Sequence, residues 1–237
     1  MNTVAIIQAR MTSTRMPGKV MAKLSGKPML GYMVDRVRRA ERLDAIWVAT
    51  TDRPTDDSVA DYCATLGVPT FRGDEADVLG RYAGAAEAAG ADRIIRLTAD
   101  CPLGDPALVD EAIALFEAGD FDYCGNIVDR TYPDGLDVEV IGRDALAQCA
   151  LEAVTDFDRE HVTPYINGLG PAREAPPPFR QGYVKFEADF HHVRWTVDHV
   201  ADYERVCELV SAVPADAGWL QFLAHATRQP ALLGVAE

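Results

Sequence analysis

Short apolar runs that alternate with stretches of helical spacing constrain this chain more than any other feature. Residues 4–9 form the first run, which stops at a polar loop containing Gly and Pro, the pattern of a strand buried on both faces and followed by a functional loop. Over residues 28–43 the apolar positions Met29, Leu30, Met33, Val34 and Val37 recur at helical spacing, and residues 45–50 form the second run. The alternation continues as a helix over 57–66, a strand over 68–71, a helix over about 76–89, a strand over 93–98 and a helix over 106–117. Strands separated by helices of this length predict an α/β fold with a mostly parallel sheet covered on both faces.

Beyond Gly119 the period loosens. Strands are expected over 121–127 and 136–141 around a Tyr132-Pro133-Asp134-Gly135 turn, then helices over 143–154 and 159–166. A Pro-rich loop over 171–178, segments over 181–187 and 193–197, and helices over 201–213 and 218–226 complete the chain. With 237 residues, 48% of them hydrophobic, the chain can bury one sizeable core. The expectation is a single domain over 1–237, with about 121–180 as an added lobe.

The net charge of −14 opposes binding to a nucleic-acid backbone or an anionic membrane. Residues 1–42, however, hold nine basic side chains against Asp35 and Glu41, which favours a local anion site. Five cysteines, widely separated and without metal-ligand spacing, suggest neither a disulfide framework nor a zinc site. No signal-peptide pattern and no membrane-length apolar run is seen, so a cytoplasmic protein is expected.

In open α/β sheets ligands bind beyond the carboxyl ends of the strands, and three polar stretches stand there. The first, from Gln8 to Lys19, offers Arg10, Arg15 and Lys19 among hydroxyls and Gly18, a composition suited to a triphosphate held by backbone N–H groups, hydroxyls and cations. It is not a Walker loop, since Lys19 is followed by Val20. A solvated basic loop has the same composition. The second stretch is Thr98-Ala99-Asp100-Cys101-Pro102 and the third Arg194-Trp195-Thr196-Val197-Asp198. Two carboxylates with phosphate oxygens make a Mg²⁺ site, so Asp100 and Asp198 are candidate metal ligands. A turn cap at Asp100 and a helix N-cap at Asp198 are equally compatible with their positions.

The sequence also resembles a known family. Ile6 to Lys19, Gly26-Lys27-Pro28-Met29, Val48 to Asp52, Arg72-Gly73-Asp74 with Asp77 to Arg81, Thr98 to Leu103, Tyr132 to Glu139 and Arg194 to Asp198 follow the order of motifs in the cytidylyltransferases of spore coat polysaccharide biosynthesis. These are relatives of the acylneuraminate and 3-deoxy-manno-octulosonate cytidylyltransferases. The resemblance spans about residues 3–210 and implies a Rossmann-like, glycosyltransferase-A-like nucleotidyltransferase fold, a three-layer sandwich that uses CTP and Mg²⁺ to join CMP to a sugar with release of pyrophosphate. It places the triphosphate on Arg10, Lys19 and the backbone from Ala9 through Met11 and Thr12 to Ser13, with Arg15, Thr98 and Ala99 nearby. Metal falls to Asp100 and Asp198, and the base to Thr50, Thr51, Asp52, Arg72 and Gly73. Asp134, Glu139, His161 and Arg194 become sugar-side candidates, His161 through the Glu160-His161-Val162-Thr163-Pro164 segment.

The resemblance further implies a homodimer that uses the 121–180 lobe and an acidic 2-keto-3-deoxy sugar as partner. The departure from the family is His199, where relatives carry Thr or a similar small residue. His191-His192 reads as a surface pair. Uridylyl-, adenylyl- and guanylyltransferases would carry a Gly-rich first loop, whereas Gly18 is the only glycine in this one, and a nucleotide-sugar glycosyltransferase would carry an Asp-x-Asp motif after a central strand, where Thr98 to Pro102 has one Asp. A phosphorylated acceptor stays open.

Overall fold

The structure, a computed structural model, describes residues 1–170 and 179–234; the expected Pro-rich loop over 171–178 lies outside them. The chain opens with β1 (Thr3–Gln8), passes a loop and a 3₁₀ turn (Lys19–Met21), and forms a small antiparallel hairpin of β2 (Lys23–Leu24) and β3 (Lys27–Pro28). Then follow α1 (Met29–Val37), β4 (Ala45–Thr51), α2 (Asp57–Thr65), β5 (Thr70–Gly73), α3 (Val78–Ala88), β6 (Arg93–Thr98) and α4 (Pro106–Ala118). The second half contains β7 (Tyr123–Gly125), β8 (Glu139–Gly142), α5 (Arg143–Glu152), α6 (Asp156–His161), α7 (Pro164–Asn167), β9 (Gln181–Tyr183), α8 (Val200–Ala212) and α9 (Trp219–Ala226).

Seven strands form one sheet in the order β5-β4-β1-β6-β8-β7-β9. The β1 pairings with β4 and β6, and β4 with β5, are parallel, whereas β8 runs antiparallel to both β6 and β7. Successive β1 side chains enter opposite layers: Ala5 and Ile7 join one core with α1, α4, α8 and α9, while Val4 and Ile6 join the other with α3 and α5. Each fully buried Val or Ile contributes roughly 1.5–3 kcal/mol, which is why a strand with no polar face is stable only as the middle layer of three.

From β1 the chain winds to β4 on one side and returns through α3 to β6 on the other. The order therefore reverses at β1, opening a crevice at its carboxyl end. Helix starts are fixed locally: Asp77 accepts the Gly80 N–H at 2.8 Å at the head of α3, and Asp105 accepts those of Ala107 and Leu108 at 3.0 and 3.3 Å before Pro106 in α4.

Two expectations are corrected. The helix expected over 159–166 is two helices, broken where Pro164 lacks an N–H and Val162 adopts φ +71°. The strands expected over 121–127 and 136–141 shrink to β7 and β8. The segment over 193–197 is a strap outside the sheet that meets the 132–135 turn at an isolated bridge, Asp134 to Arg194. Gly135 permits that approach: its φ is +105°, and a Cβ there would lie 2.7 Å from both the Thr196 nitrogen and the Trp195 carbonyl carbon.

Candidate active site

At the reversal point the three polar stretches meet. The loop after β1 folds on itself, with the Met11 carbonyl accepting from the Ser13 and Gly18 N–H groups at 3.0 and 2.8 Å. Gly18, at φ +72°, turns the chain into the Lys19–Met21 turn. Lys19 is thereby aimed across the end of β1. Its ammonium donates to Asp100 Oδ2 at 3.1 Å, to Asp198 Oδ1 at 3.0 Å and to the Val197 carbonyl at 2.8 Å.

Asp100 reaches this point because it follows β6, the parallel neighbour of β1. Its main-chain carbonyl accepts the Val197 N–H at 2.8 Å, stitching the strap to the sheet and delivering Asp198. Burial works against the Asp100 charge, but Lys19 and the Thr98 side chain outweigh it and hold the carboxyl below its ordinary range.

Asp198 is enclosed by cations: Arg15 meets Oδ1 at 2.7 Å and Arg194 meets Oδ2 at 2.8 Å. It does not cap a helix. α8 starts at Val200, and its capping carboxylate is Asp202, which accepts the N–H groups of Asp198 and His199 at 3.0 and 2.9 Å. Asp202 also receives Arg194 and Arg205 at 2.9 and 3.0 Å. Burial raises its carboxyl, yet these bonds bring it down to about 2. His199, the departure from the family motif, thus stands at the helix N-cap.

A cleft of about 260 Å³ opens beside this cluster. Of the residues expected to bind ligand, it is lined by Ala9, Arg10, Ser13, Arg15, Lys19, Ala99, Asp100, Asp198 and His161. A second, adjoining cleft of about 880 Å³ shares Arg10 and takes in Asp52. Other candidates serve as supports around these clefts. Met11 donates its N–H to Asp56 at 2.6 Å, and Thr51 bonds the same carboxylate through its hydroxyl. Thr12 bonds Glu75, and Thr98 bonds Cys101. Arg72 ties the carbonyls of Thr51 and Arg53, both at 2.8 Å, and pairs with Asp57, while the Gly73 carbonyl takes the Asp52 N–H at 2.9 Å. Among the described residues the buried Thr50 hydroxyl has no hydrogen-bond partner.

On the expected sugar side, Asp134 accepts from the Thr196 hydroxyl at 2.9 Å and lies 3.5 Å from Arg194; burial and neighbouring Asp137 raise its carboxyl. Glu139 is fully buried on β8, bonded to Arg96 and to the Tyr123 hydroxyl, the latter at 2.7 Å. His191 and His192 are an exposed pair, His191 bonded to Asp189.

Gln8, Arg81, Arg96 and Glu160 line the cleft wall without a site role assigned from sequence, although Gln8, Arg81 and Glu160 fall within the motifs quoted above. Arg96 carried a usable signal, a charge inside an apolar strand that requires a buried partner. Arg81, bonded to the Asp74 and Glu75 carbonyls, was marked only by its place in the Asp77 to Arg81 motif, because helical spacing does not distinguish it.

The donors suit a hard divalent ion, since two carboxylates converge on one point and carboxylate oxygens are the ligands Mg²⁺ prefers. Among the described residues no group of three or more His, Cys, Asp or Glu could hold a metal. Phosphate oxygens and water would therefore complete the shell.

A cationic loop facing paired carboxylates across a switch point is the arrangement of a nucleotidyltransferase. The comparisons narrow that class. The cytidylyltransferase family model matches residues 4–209, and the chain belongs to that family. It is 37% identical over 210 residues to the spore coat polysaccharide biosynthesis protein SpsF of Bacillus subtilis, covering 85% of this chain and 83% of that one. To the 3-deoxy-manno-octulosonate cytidylyltransferase of Geobacter sulfurreducens it is 40% identical over 114 residues, 48% of this chain and 45% of the other. A solved cytidylyltransferase from Leptospira borgpetersenii superposes with a TM-score of 0.92 at 28% identity, covering 100% of this chain and 98% of that one. Among the described residues no helix is long and apolar enough to cross a membrane.

Proposed function

We propose that this cytidylyltransferase uses CTP and Mg²⁺ to activate an acidic 2-keto-3-deoxy sugar as its CMP conjugate, as a cytoplasmic step toward surface polysaccharide. The observation that carries the reading is the meeting of Lys19, Asp100 and Asp198 at the mouth of a cleft that Arg10 and Arg15 also line. The acceptor's anomeric hydroxyl oxygen bonds to the α-phosphorus while the bond to the β-bridging oxygen breaks and pyrophosphate leaves. Nucleotidyl transfer asks the protein chiefly to align these groups and to stabilise charge on the phosphate oxygens. Arg10 and Lys19 bind the β- and γ-phosphates, and the N–H groups between Ala9 and Ser13 cradle them. Asp100 and Asp198 hold Mg²⁺, which supplies charge neutralisation and a lower pKa for the attacking hydroxyl. His161, exposed, with its ring tilted against Phe157 at a centroid distance of 4.3 Å, lines the cleft on α6 and is the acceptor-side candidate there, together with Arg194, Asp134 and Glu139. The partly matching octulosonate relative favours an acidic sugar, and the SpsF relative a role in polysaccharide biosynthesis.

Pyrophosphate release measured with four NTPs, against acid sugars and phosphorylated acceptors, tests this. Turnover is expected with CTP and an acid sugar and is abolished by EDTA. Equal rates with CTP, UTP and ATP, or rates indifferent to EDTA, overturn the cytidylyl reading; turnover only with a phosphorylated acceptor overturns the sugar.

The same proposal includes a homodimer formed through the 121–180 lobe. Leu151 and Val154, 82% and 83% exposed, and Phe157 and Leu169, also exposed, all belong to that lobe, and exposed large apolar side chains of this kind favour a partner. Light scattering should return twice the 25.8 kDa of one chain, and a single 25.8 kDa species at micromolar concentration contradicts it.

A further inference from the structure

We infer that Lys19 is an exchangeable counter-ion of Asp100 and Asp198, so that these carboxylates take a divalent cation strongly only after a triphosphate has drawn the ammonium away. The inference rests on the metal and triphosphate roles proposed above and adds an order to them.

An ammonium has three donors, and all three of Lys19 are committed, to Asp100, Asp198 and the Val197 carbonyl, between 2.8 and 3.1 Å. None is left for a phosphate oxygen. Asp198 Oδ1 in turn accepts from both Lys19 and Arg15, and its Oδ2 from Arg194, so Oδ1 has spent both lone pairs. A dication entering beside the ammonium would also meet like charge at close range in a partly buried site, where screening is weak. Lys19 therefore cannot serve the phosphates while it pairs with the carboxylates, and the carboxylates cannot serve a metal while they pair with Lys19.

Triphosphate and cation arriving together resolve both conflicts, because each displaced charge finds a new partner: the ammonium on phosphate oxygens, the carboxylates on the dication. The side chain is suited to the exchange. Lys19 is a point charge on a flexible four-carbon stem, its backbone is held in the turn after Gly18, and only 10% of its side chain is exposed. Arg15, at 55% exposed, contributes a weaker and more solvated hold on Asp198. By linkage, nucleotide and cation must strengthen each other's binding equally.

Mn²⁺ binding, followed by electron paramagnetic resonance on the full chain with and without α,β-methylene-CTP, tests the inference independently of turnover. Without nucleotide, Lys19→Met should bind Mn²⁺ about tenfold or more tighter than wild type, a typical coupling, and Arg15→Met should gain in the same direction by less. The analogue should tighten Mn²⁺ binding to wild type by about tenfold or more and to Lys19→Met by much less. Arg15→Met, altered at an exposed position, decides the matter should Lys19→Met not fold. Equal Mn²⁺ affinity in wild type and the folded variants without nucleotide overturns the inference. Asp100→Asn separates the two readings: if it leaves Mn²⁺ binding with the analogue unchanged, the metal assignment fails and the inference with it. If it weakens that binding while the cation variants show no gain, the inference alone fails.

Discussion

Asp100→Asn and Asp198→Asn are each expected to lower the rate of pyrophosphate release by about 10²-fold or more at saturating CTP and Mg²⁺. The loss should appear in kcat rather than in KM for CTP. Both carboxylates pair with Lys19, and Asp198 also holds Arg15, so removing a negative charge frees cations that bind the triphosphate in its ground state. What is lost is charge stabilisation at the reacting phosphorus. The fold should survive, because Asp100 follows the end of β6, Asp198 follows the strap, both line the cleft, and amide replacements keep their volume. Lys19→Ala should behave differently, raising KM for CTP as well as slowing turnover, since its phosphate targets are charged in ground and transition states alike. Circular dichroism establishes folding for each variant. Folded Asn variants with near-normal turnover would remove the metal role and leave Asp198 as an anchor for Arg15 and Arg194.

Glu139→Ala should act on stability, costing about 3–5 kcal/mol. Glu139 has no exposed surface, and it is the carboxylate that Arg96 and the Tyr123 hydroxyl meet inside the sheet layer. Without it the Arg96 guanidinium, with only 12% of its side chain exposed, keeps its charge with little water to replace the carboxylate, and the Tyr123 hydroxyl loses its acceptor. Thermal unfolding should fall by roughly 6–20 °C. Glu139→Gln, which keeps the shape and an acceptor, should fall less. A variant that unfolds at the wild-type temperature but loses acceptor affinity would instead make Glu139 a direct sugar contact.

The eight elements of the strand-and-helix alternation, β1, α1, β4, α2, β5, α3, β6 and α4, were legible because the signals that specify them are local. A strand buried on both faces must be apolar throughout, as residues 4–7 are, and a covering helix must repeat its apolar positions every three or four residues, as Met29, Leu30, Met33 and Val34 do. The second half was less legible. β7, β8 and β9 have three or four residues each, too few for a period, and their pairing partners are distant in sequence. The helix break at Val162 was marked by Pro164, yet Pro is also tolerated in a first helical turn, where it stands in α7. Local pattern could not choose between the two.

In the candidate site the division is similar. Sequence position alone determined that a cationic loop follows β1 and that Asp100 follows β6, because ligand-binding residues of α/β sheets stand beyond strand ends. Only the tertiary structure decided what each charge does, since Coulomb and hydrogen-bond energies depend on distances between groups 81 and 179 residues apart, such as Lys19 with Asp100 and with Asp198. The same reason gave the helix-capping role to Asp202 rather than Asp198 and placed Glu139 against Arg96. Residue type and local period determined which side chains stand at the crevice; the folded chain determined which of them are paired.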